Sequence, residues 1–148
     1  MTALKLEEFL PFRLVRAADA VSLEFSKIYK QKHDLSRPEW RVVANLAQLG
    51  KATAKEIGVH SAMHKTKVSR AVFELEKRKW LVRKTDEKDR RVEWLELTKL
   101  GQSKFEGLSI LARDFETKLL ADLGKEGAAK LAFSLNKLEQ LQKLTADH

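Results

Sequence analysis

The sequence predicts a mainly α-helical protein with one small antiparallel β-hairpin. Glycine and proline are scarce, at six and two in 148 residues, so long loops should be few and helix should predominate. Apolar residues recur at steps of three and four along most of the chain, which is the period of an α-helix. One stretch, residues 81–97, changes to alternation, which is the period of a β-strand.

The first long helix is predicted over residues 7–33, because apolar side chains form a stripe on one of its faces. Pro11 lies in its first turn, where a missing N–H costs little. A second helix should begin after Ser36, which can cap it, and end at Gly50. The stripe of the first helix comprises Leu10, Leu14, Ala17 or Ala18, Val21, Phe25 and Ile28.

The middle of the chain is typical of a winged helix-turn-helix module, because two short helices are followed by a charged hairpin. In order, it contains a helix (53–60), a turn (61–63), a second helix (64–79), a strand (81–85), a tip (86–91) and a second strand (92–97). Thr98 can then cap a long helix that Gly124 should break. The end helices are too long for this module to bury, so we expect them to pair with each other and with a second copy.

Charge limits the classes of partner. Lys and Arg total 29 against 21 Asp and Glu, a formal net charge of +8, which favours polyanions without choosing between DNA, RNA and anionic lipid. Cysteine is absent, which excludes disulfides and fits a reducing cytoplasm. No apolar run approaches the roughly 20 residues of a spanning helix, and residues 1–10 lack a signal-peptide pattern. We therefore expect a cytoplasmic protein.

The second helix of the pair should turn Val68, Ala71, Val72 and Leu75 to the core. Its opposite face carries Lys65, Thr66, Lys67, Ser69, Arg70 and Phe73. Near the helix start, Arg, Lys, Ser and Thr are side-chain types that reach base edges or phosphate. The alternative is a solvated basic face on an ordinary amphipathic helix. The preceding helix and the following hairpin favour DNA contact.

The hairpin tip holds Lys88, Asp89, Arg90 and Arg91. A long basic side chain at such a tip can enter the narrow minor groove, and an acid two residues away can hold it extended. The alternative is a polar turn with surface ion pairs, which contribute little to stability.

Four segments together resemble the MarR family of winged-helix transcription regulators. They are Lys65-Thr66-Lys67-Val68-Ser69-Arg70, Leu75-Glu76-Lys77-Arg78-Lys79-Trp80-Leu81-Val82, Asp89-Arg90-Arg91 and Leu95-Glu96-Leu97-Thr98-Lys99-Leu100-Gly101. The resemblance implies one MarR-like domain over residues 1–148. Residues 36–98 would be its DNA-binding lobe, and residues 1–35 and 99–148 its helical dimerisation lobe.

The same resemblance assigns roles to single residues. His64 to Arg70 would open the recognition helix, Arg91 would be the minor-groove arginine of the wing, and Asp89 would be its partner. Two positions differ from the family pattern. Ala62 stands where the turn often has glycine, so we expect no positive φ there. His64 stands where an aspartate is frequent, so no carboxylate lies at the helix start.

Metal binding, cofactors and catalysis are not expected. His60 and His64 are four residues apart, a metal-ligand spacing, but the predicted turn falls between them and the glutamate of the zinc-hydrolase motif is missing. His33 is expected to act as a cation at a helix C-terminus. The sequence contains no nucleophile motif and no phosphate-cradling glycine loop, so an enzyme is improbable.

The resemblance implies an effector pocket between the dimer lobe and the winged module, with a wall early in the second helix, where Trp40 lies. Arg13, Arg16 and Tyr29 of the first helix could face this pocket. An aromatic wall with arginines would suit a small aromatic or acyl carboxylate. The alternative is that Trp40 only packs in the core and the arginines face solvent. The sequence as a whole predicts a homodimeric, ligand-responsive repressor of a palindromic double-stranded DNA operator. The alternatives are a non-specific or architectural DNA-binding protein without an effector, and a helical interaction module.

Overall fold

The computed structural model describes residues 2–146, and their side chains up to Leu141. A short 3-10 helix (Leu6–Glu8) comes first. The remaining elements are α1 (Leu10–His33), α2 (Arg37–Leu49), β1 (Lys51–Ala52), α3 (Ala54–Ser61), α4 (Lys65–Lys77), β2 (Leu81–Thr85), β3 (Glu93–Leu97) and α5 (Lys99–Ala146). The predicted mainly α fold with a small antiparallel hairpin is confirmed. For the last helix the sequence predicts apolar positions at Leu131, Leu135, Leu138 and Leu141 or Leu144, and Leu144 lies outside the described side chains.

The start and end of α2 follow the predicted signals. Ser36 Oγ accepts the N–H of Glu39 at 3.2 Å, and Glu39 accepts the N–H of Ser36 in return. This capping box satisfies two donors that the helix itself leaves unpaired. Gly50 ends α2 with a φ of 81°, a conformation that L side chains rarely adopt.

The sheet has three antiparallel strands in the order β1-β3-β2. The predicted hairpin pairs Leu81 with Leu97 and Thr85 with Glu93. The strand β1 was not predicted; it pairs Ala52 with Leu95 on the other edge of β3. The sheet therefore closes onto the segment between α2 and α3.

The chain divides into two compact units, and the first ends at Leu111. Its core joins residues from α1, α2, α3, α4, the start of α5 and the sheet. Val68, Ala71, Val72 and Leu75 of α4 are all buried, as predicted. The remaining members are Tyr29, Leu35, Val42, Val43, Leu46, Ala52, Ile57, Trp80, Leu81, Leu95, Leu97 and Leu108.

An aromatic cluster forms one side of this core. The ring of Trp40 stacks between those of Tyr29 and Phe105, with centroids 5.7 and 6.3 Å away. Phe25 meets Trp40 edge to face at 5.1 Å. Burial raises the pKa of Tyr29 to about 12, although Arg37 and Arg41 act in the opposite direction. Trp40 therefore has a packing role in this fold.

The C-terminus of α1 is capped by Arg78, which lies far along the chain. The guanidinium donates to the carbonyl oxygens of His33 and Asp34 at 2.7 and 3.1 Å and lies over the ring of Trp80. The expectation that His33 is the cation at this end was wrong. Burial, followed by the charges of Lys104, Arg78 and Lys32, lowers the pKa of His33, so the neutral ring is favoured.

The second unit begins at Ala112 and lies within α5. Gly124 interrupts the helix there with φ 77° and ψ 162°, which confirms the predicted break. Several large apolar side chains of this unit are exposed in the isolated chain, namely Leu120, Leu123, Leu131, Phe133, Leu135 and Leu141.

Candidate nucleic-acid interface

The helix α4 presents the predicted recognition residues to solvent. It begins after His64, whose Nδ1 accepts the N–H of Thr66 at 3.2 Å. The imidazole thus caps the helix in place of the missing carboxylate, and as an acceptor this nitrogen carries no proton. All six predicted residues are exposed, namely His64, Lys65, Thr66, Lys67, Ser69 and Arg70.

The turn before α4 is built by close backbone contacts. Met63 donates its N–H to the carbonyl of Gly58 at 2.9 Å, and a Cβ at Gly58 would lie 3.2 Å from the Met63 carbonyl oxygen. The backbone at Met63 therefore leaves little room for a side chain at Gly58. The expectation for Ala62 was wrong, because its φ is 52° and its ψ 43°. The turn requires the left-handed conformation there, and alanine adopts it at a cost of roughly 1–2 kcal/mol.

The two histidines near the turn have separate roles. His60 is hydrogen-bonded through Nδ1 to Oδ1 of Asn45 in α2, whereas His64 caps α4. Asn45 also donates to Ser61 Oγ at 2.6 Å, which ties α2 to the end of α3. Within residues 2–146, no group of three or more His, Asp or Glu side chains could hold a metal ion.

Asp86 organises the wing tip, defined as residues 86–92. Its Oδ2 accepts the backbone N–H groups of Lys88 and Asp89 at 3.1 and 2.9 Å. Its Oδ1 accepts Nε1–H of Trp94 at 3.0 Å, and this bond is the main reason that the pKa of Asp86 is lowered. An aspartate that bonds the backbone two and three residues later is a local turn signal that sequence reasoning did not use.

The predicted pair between Asp89 and Arg91 is present in the tip. Asp89 Oδ1 accepts the backbone N–H and Nε–H of Arg91 at 3.0 and 3.1 Å, and Oδ2 accepts Nη2–H at 3.2 Å. These bonds lower the pKa of Asp89, so the carboxylate stays ionised. Lys88, Arg90 and Arg91 are exposed. The tip therefore presents cations whose backbone is already ordered.

A salt bridge joins the recognition helix to the wing. Arg83 of β2 donates Nε–H to Glu76 of α4 at 3.1 Å and reaches Glu93 of β3 at 3.4 Å. No local period predicts this link, because seven and ten residues separate Arg83 from its two partners.

The Leu-Thr-x-x-Gly motif closes the base of the wing. Thr98 donates its N–H to the Trp80 carbonyl at 2.9 Å and its hydroxyl hydrogen to the Lys79 carbonyl at 2.7 Å. The Thr98 hydroxyl oxygen accepts the N–H of Gly101 at 3.0 Å. A Cβ at Gly101 would lie 2.0 Å from the Trp80 carbonyl oxygen, so only glycine fits without displacement of the backbone.

The four residues predicted for an effector pocket are not brought together in this chain. Tyr29 and Trp40 pack in the aromatic cluster, while Arg13 and Arg16 are exposed. Arg16 precedes Tyr29 by thirteen positions on α1, which places them about 20 Å apart along the helix axis. Residues on one helix can therefore lie too far apart along its axis to line the same pocket.

The architecture matches known proteins. A model described as the MarR family matches residues 33–92. The uncharacterized HTH-type transcriptional regulator YwoH of Bacillus subtilis (strain 168) is 34% identical over 96 residues, which are 65% of this chain and 68% of YwoH. The chain belongs to the MarR family.

Solved structures extend the likeness to nearly the whole chain. A MarR/EmrR family transcriptional regulator from Acinetobacter sp. ADP1 has a TM-score of 0.84 and 25% identity, covering 95% of this chain and 99% of that one. A mutant MarR from E. coli, solved with operator DNA, has a TM-score of 0.79 and 20% identity, covering 93% and 99%. The MarR-type winged helix-turn-helix fold and a DNA-binding role in transcription regulation follow.

The family and the fold are those of transcription regulators, not of enzymes. None of the helices described between residues 2 and 146 is long and apolar enough to cross a membrane.

Proposed function

We propose that this MarR-family chain is a sequence-specific regulator that binds an inverted-repeat operator as a homodimer. The main support for this proposal is that two exposed cationic elements lie side by side and are linked by one arginine. The outward face of α4 and the wing tip are both basic, and Arg83 links β2 to Glu76 of α4. Such a pair can contact neighbouring grooves of one duplex.

In this proposal, α4 lies in the major groove and the wing tip in the minor groove. Arg70 and Lys65 are suited to guanine edges or phosphate, and Thr66 and Ser69 to either kind of base edge. The recognition set is His64, Lys65, Thr66, Lys67, Ser69 and Arg70, and the wing set is Lys88, Asp89, Arg90 and Arg91. The shared fold with E. coli MarR, which was solved with operator DNA, supports this arrangement.

The homodimer is supported by apolar side chains that the first unit leaves uncovered. Of the predicted α1 stripe, Phe25 packs on the core, next to the buried Tyr29, which is not part of the stripe. The exposed apolar residues of the N-terminal segment and α1 include Leu4, Leu6, Phe9, Leu10, Leu14, Val15 and Val21. Apolar surface of this extent marks an interface, and two-fold symmetry then predicts half-sites about one helical turn apart.

Response to an anionic effector is also part of the proposal, at a different place from the pocket predicted around Trp40. A cavity of about 720 Å³ lies between α1, the start of α2 and the helix-turn-helix. Its lining includes one acid, Asp19, and five cations, Lys27, Lys30, Arg37, Arg41 and Lys67. Arg37 pairs with Asp19 and Lys27 pairs with Glu24, each at 2.8 Å. An aromatic or acyl carboxylate in the cavity could bind these cations. Because Lys67 belongs to α4, a ligand bound in the cavity would favour one position of the recognition helix. Loss of operator binding would then relieve repression.

The test begins with selection of bound duplexes from random DNA by the full chain. The selected site and a scrambled duplex of equal length are then titrated at several salt concentrations, and the stoichiometry is measured by analytical ultracentrifugation. We expect two chains on a palindromic site and a clear preference over the scrambled duplex. Equal affinity for both duplexes would indicate the architectural alternative, and absence of salt-dependent binding would contradict DNA binding altogether.

A further inference from the structure

Phe73 of α4 is a large apolar side chain that the fold leaves 57% exposed. It adds nothing to the core, since α4 reaches the core with Val68, Ala71, Val72 and Leu75. Phenylalanine is also only an average helix former, so helix propensity does not account for its presence. Phe73 therefore presents its ring to whatever the exposed face of α4 contacts.

Phe73 lies on the outward ridge of α4, defined as Thr66, Arg70, Phe73 and Lys77. These residues follow one another at steps of four, three and four, which place them on one face, and all are exposed. The ridge is opposite the core face and is the surface proposed to enter the major groove. A shallow cavity of about 370 Å³ next to the ring leaves room for a small group, and it is lined by Ser69, Arg70, Phe73 and Glu74.

We propose that Phe73 sets part of the DNA sequence preference by packing against the 5-methyl group of a thymine. This inference rests on the proposed function, because it requires α4 to lie in the major groove. Thymine is the base that presents an apolar group there, and contact removes both apolar surfaces from water.

The position of Phe73 on the helix also predicts which thymine is read. Phe73 follows Arg70 by three residues, or about 4.5 Å along the helix axis. Successive bases along one strand are about 3.4 Å apart. The thymine should therefore lie within about two base pairs of the base whose identity matters to Arg70.

The experiment uses the full chain and the selected operator. Each thymine of a half-site, together with its symmetric mate, is replaced by uracil, which lacks only the 5-methyl group. Affinity is measured at one salt concentration for the wild type and for Phe73→Ala, Phe73→Leu and Val59→Ala. Val59 is the matched control, because it is an apolar residue of α3 that is 69% exposed and lies off the ridge.

In the wild type, uracil at one position should lower the affinity about fourfold for each methyl group removed, the change expected for burial of one such group. Phe73→Ala should abolish this effect, Phe73→Leu should retain part of it, and Val59→Ala should retain all of it. Since Phe73 is exposed, Phe73→Ala should fold; if it does not, Phe73→Leu decides by whether the uracil effect is reduced.

Two results would overturn the assignment and leave the proposed function intact. One is a wild-type protein that discriminates operator from scrambled DNA but is insensitive to uracil at every position. The other is a uracil effect that persists undiminished in the Phe73 variants. A wild type that fails to discriminate the two duplexes would instead overturn the proposed function, and this inference with it.

Discussion

Arg91 and Asp89 form a closed pair at the wing tip, in which one carboxylate accepts three hydrogen bonds from one arginine. The side chain of Arg91 is still 90% exposed. An exposed pair of this kind contributes little to folding stability. The pair instead fixes the direction of the Arg91 guanidinium, which remains available to a ligand.

Arg91→Ala should weaken binding to the selected operator by about 1–3 kcal/mol and reduce the salt dependence by about one phosphate contact. Asp89→Asn should cause a smaller loss, since the guanidinium remains but is less well oriented. Arg113→Ala, an exposed arginine outside the wing and the recognition helix, is the control. Fluorescence anisotropy at matched salt measures all three variants. Equal affinities for Arg91→Ala and the control would exclude a DNA role for Arg91.

Gly101→Ala should destabilise the fold by about 3 kcal/mol, the upper range for a substitution that overpacks a tight site. The added Cβ would meet the Trp80 carbonyl oxygen at 2.0 Å, where Thr98 already donates a hydrogen bond. Gly127→Ala is the matched control, because its Cβ would meet only Leu123 Cβ at 3.8 Å. That control should gain up to about 1 kcal/mol from helix propensity. Urea denaturation of both variants measures the difference, and similar midpoints would refute the steric argument.

Ala62→Gly should stabilise the fold by roughly 0.5–1 kcal/mol. Relief of the left-handed strain exceeds the added entropy of glycine in the unfolded chain. The same replacement at Ala18, an exposed position within α1, should instead destabilise by about 1 kcal/mol. Thermal or urea unfolding can compare the two. If Ala62→Gly lowered stability as much as Ala18→Gly, the left-handed conformation of the turn would be in question.

His33 should make stability fall as the solution becomes acidic. Burial and neighbouring positive charges lower the pKa of His33 below 6.5, so the unfolded chain binds a proton more readily than the folded chain. The contribution of the neutral ring is complete above the unfolded pKa and is lost as pH falls through the folded pKa. Between pH ~7.5 and ~5.5, His33→Gln should therefore lose less stability than the wild type. Unfolding curves of the wild type and of His33→Gln, recorded at each pH, would show whether the stability of the two proteins depends differently on pH.

The periodic parts of the fold could be predicted from the sequence. Helix α4 buries Val68, Ala71, Val72 and Leu75 because one face of one helix meets one core, and this imposes a period visible in the sequence. The strand β1 could not be predicted in this way, because two residues carry no period. Lys51 and Ala52 form a strand only because β3 offers an unpaired edge.

In the candidate site, too, sequence spacing predicts some contacts and not others. The pair of Asp89 and Arg91 joins residues two apart, so their sequence spacing was enough to predict the contact. The bond from Trp94 to Asp86 and the cap that Arg78 places on α1 depend on tertiary structure, and no local pattern contains them. The turn at Ala62 is a related case, since the geometry between α3 and α4 overrides the preference of the residue.

The contacts of Arg83 bear on how the recognition helix and the wing can move. One guanidinium contacts Glu76 on the helix and Glu93 on the hairpin, and Leu75 shares a core with Leu81 on the far side of the same junction. These contacts hold the recognition helix and the wing together as one unit. In the proposed effector response, we therefore expect the recognition helix and the wing to change position together.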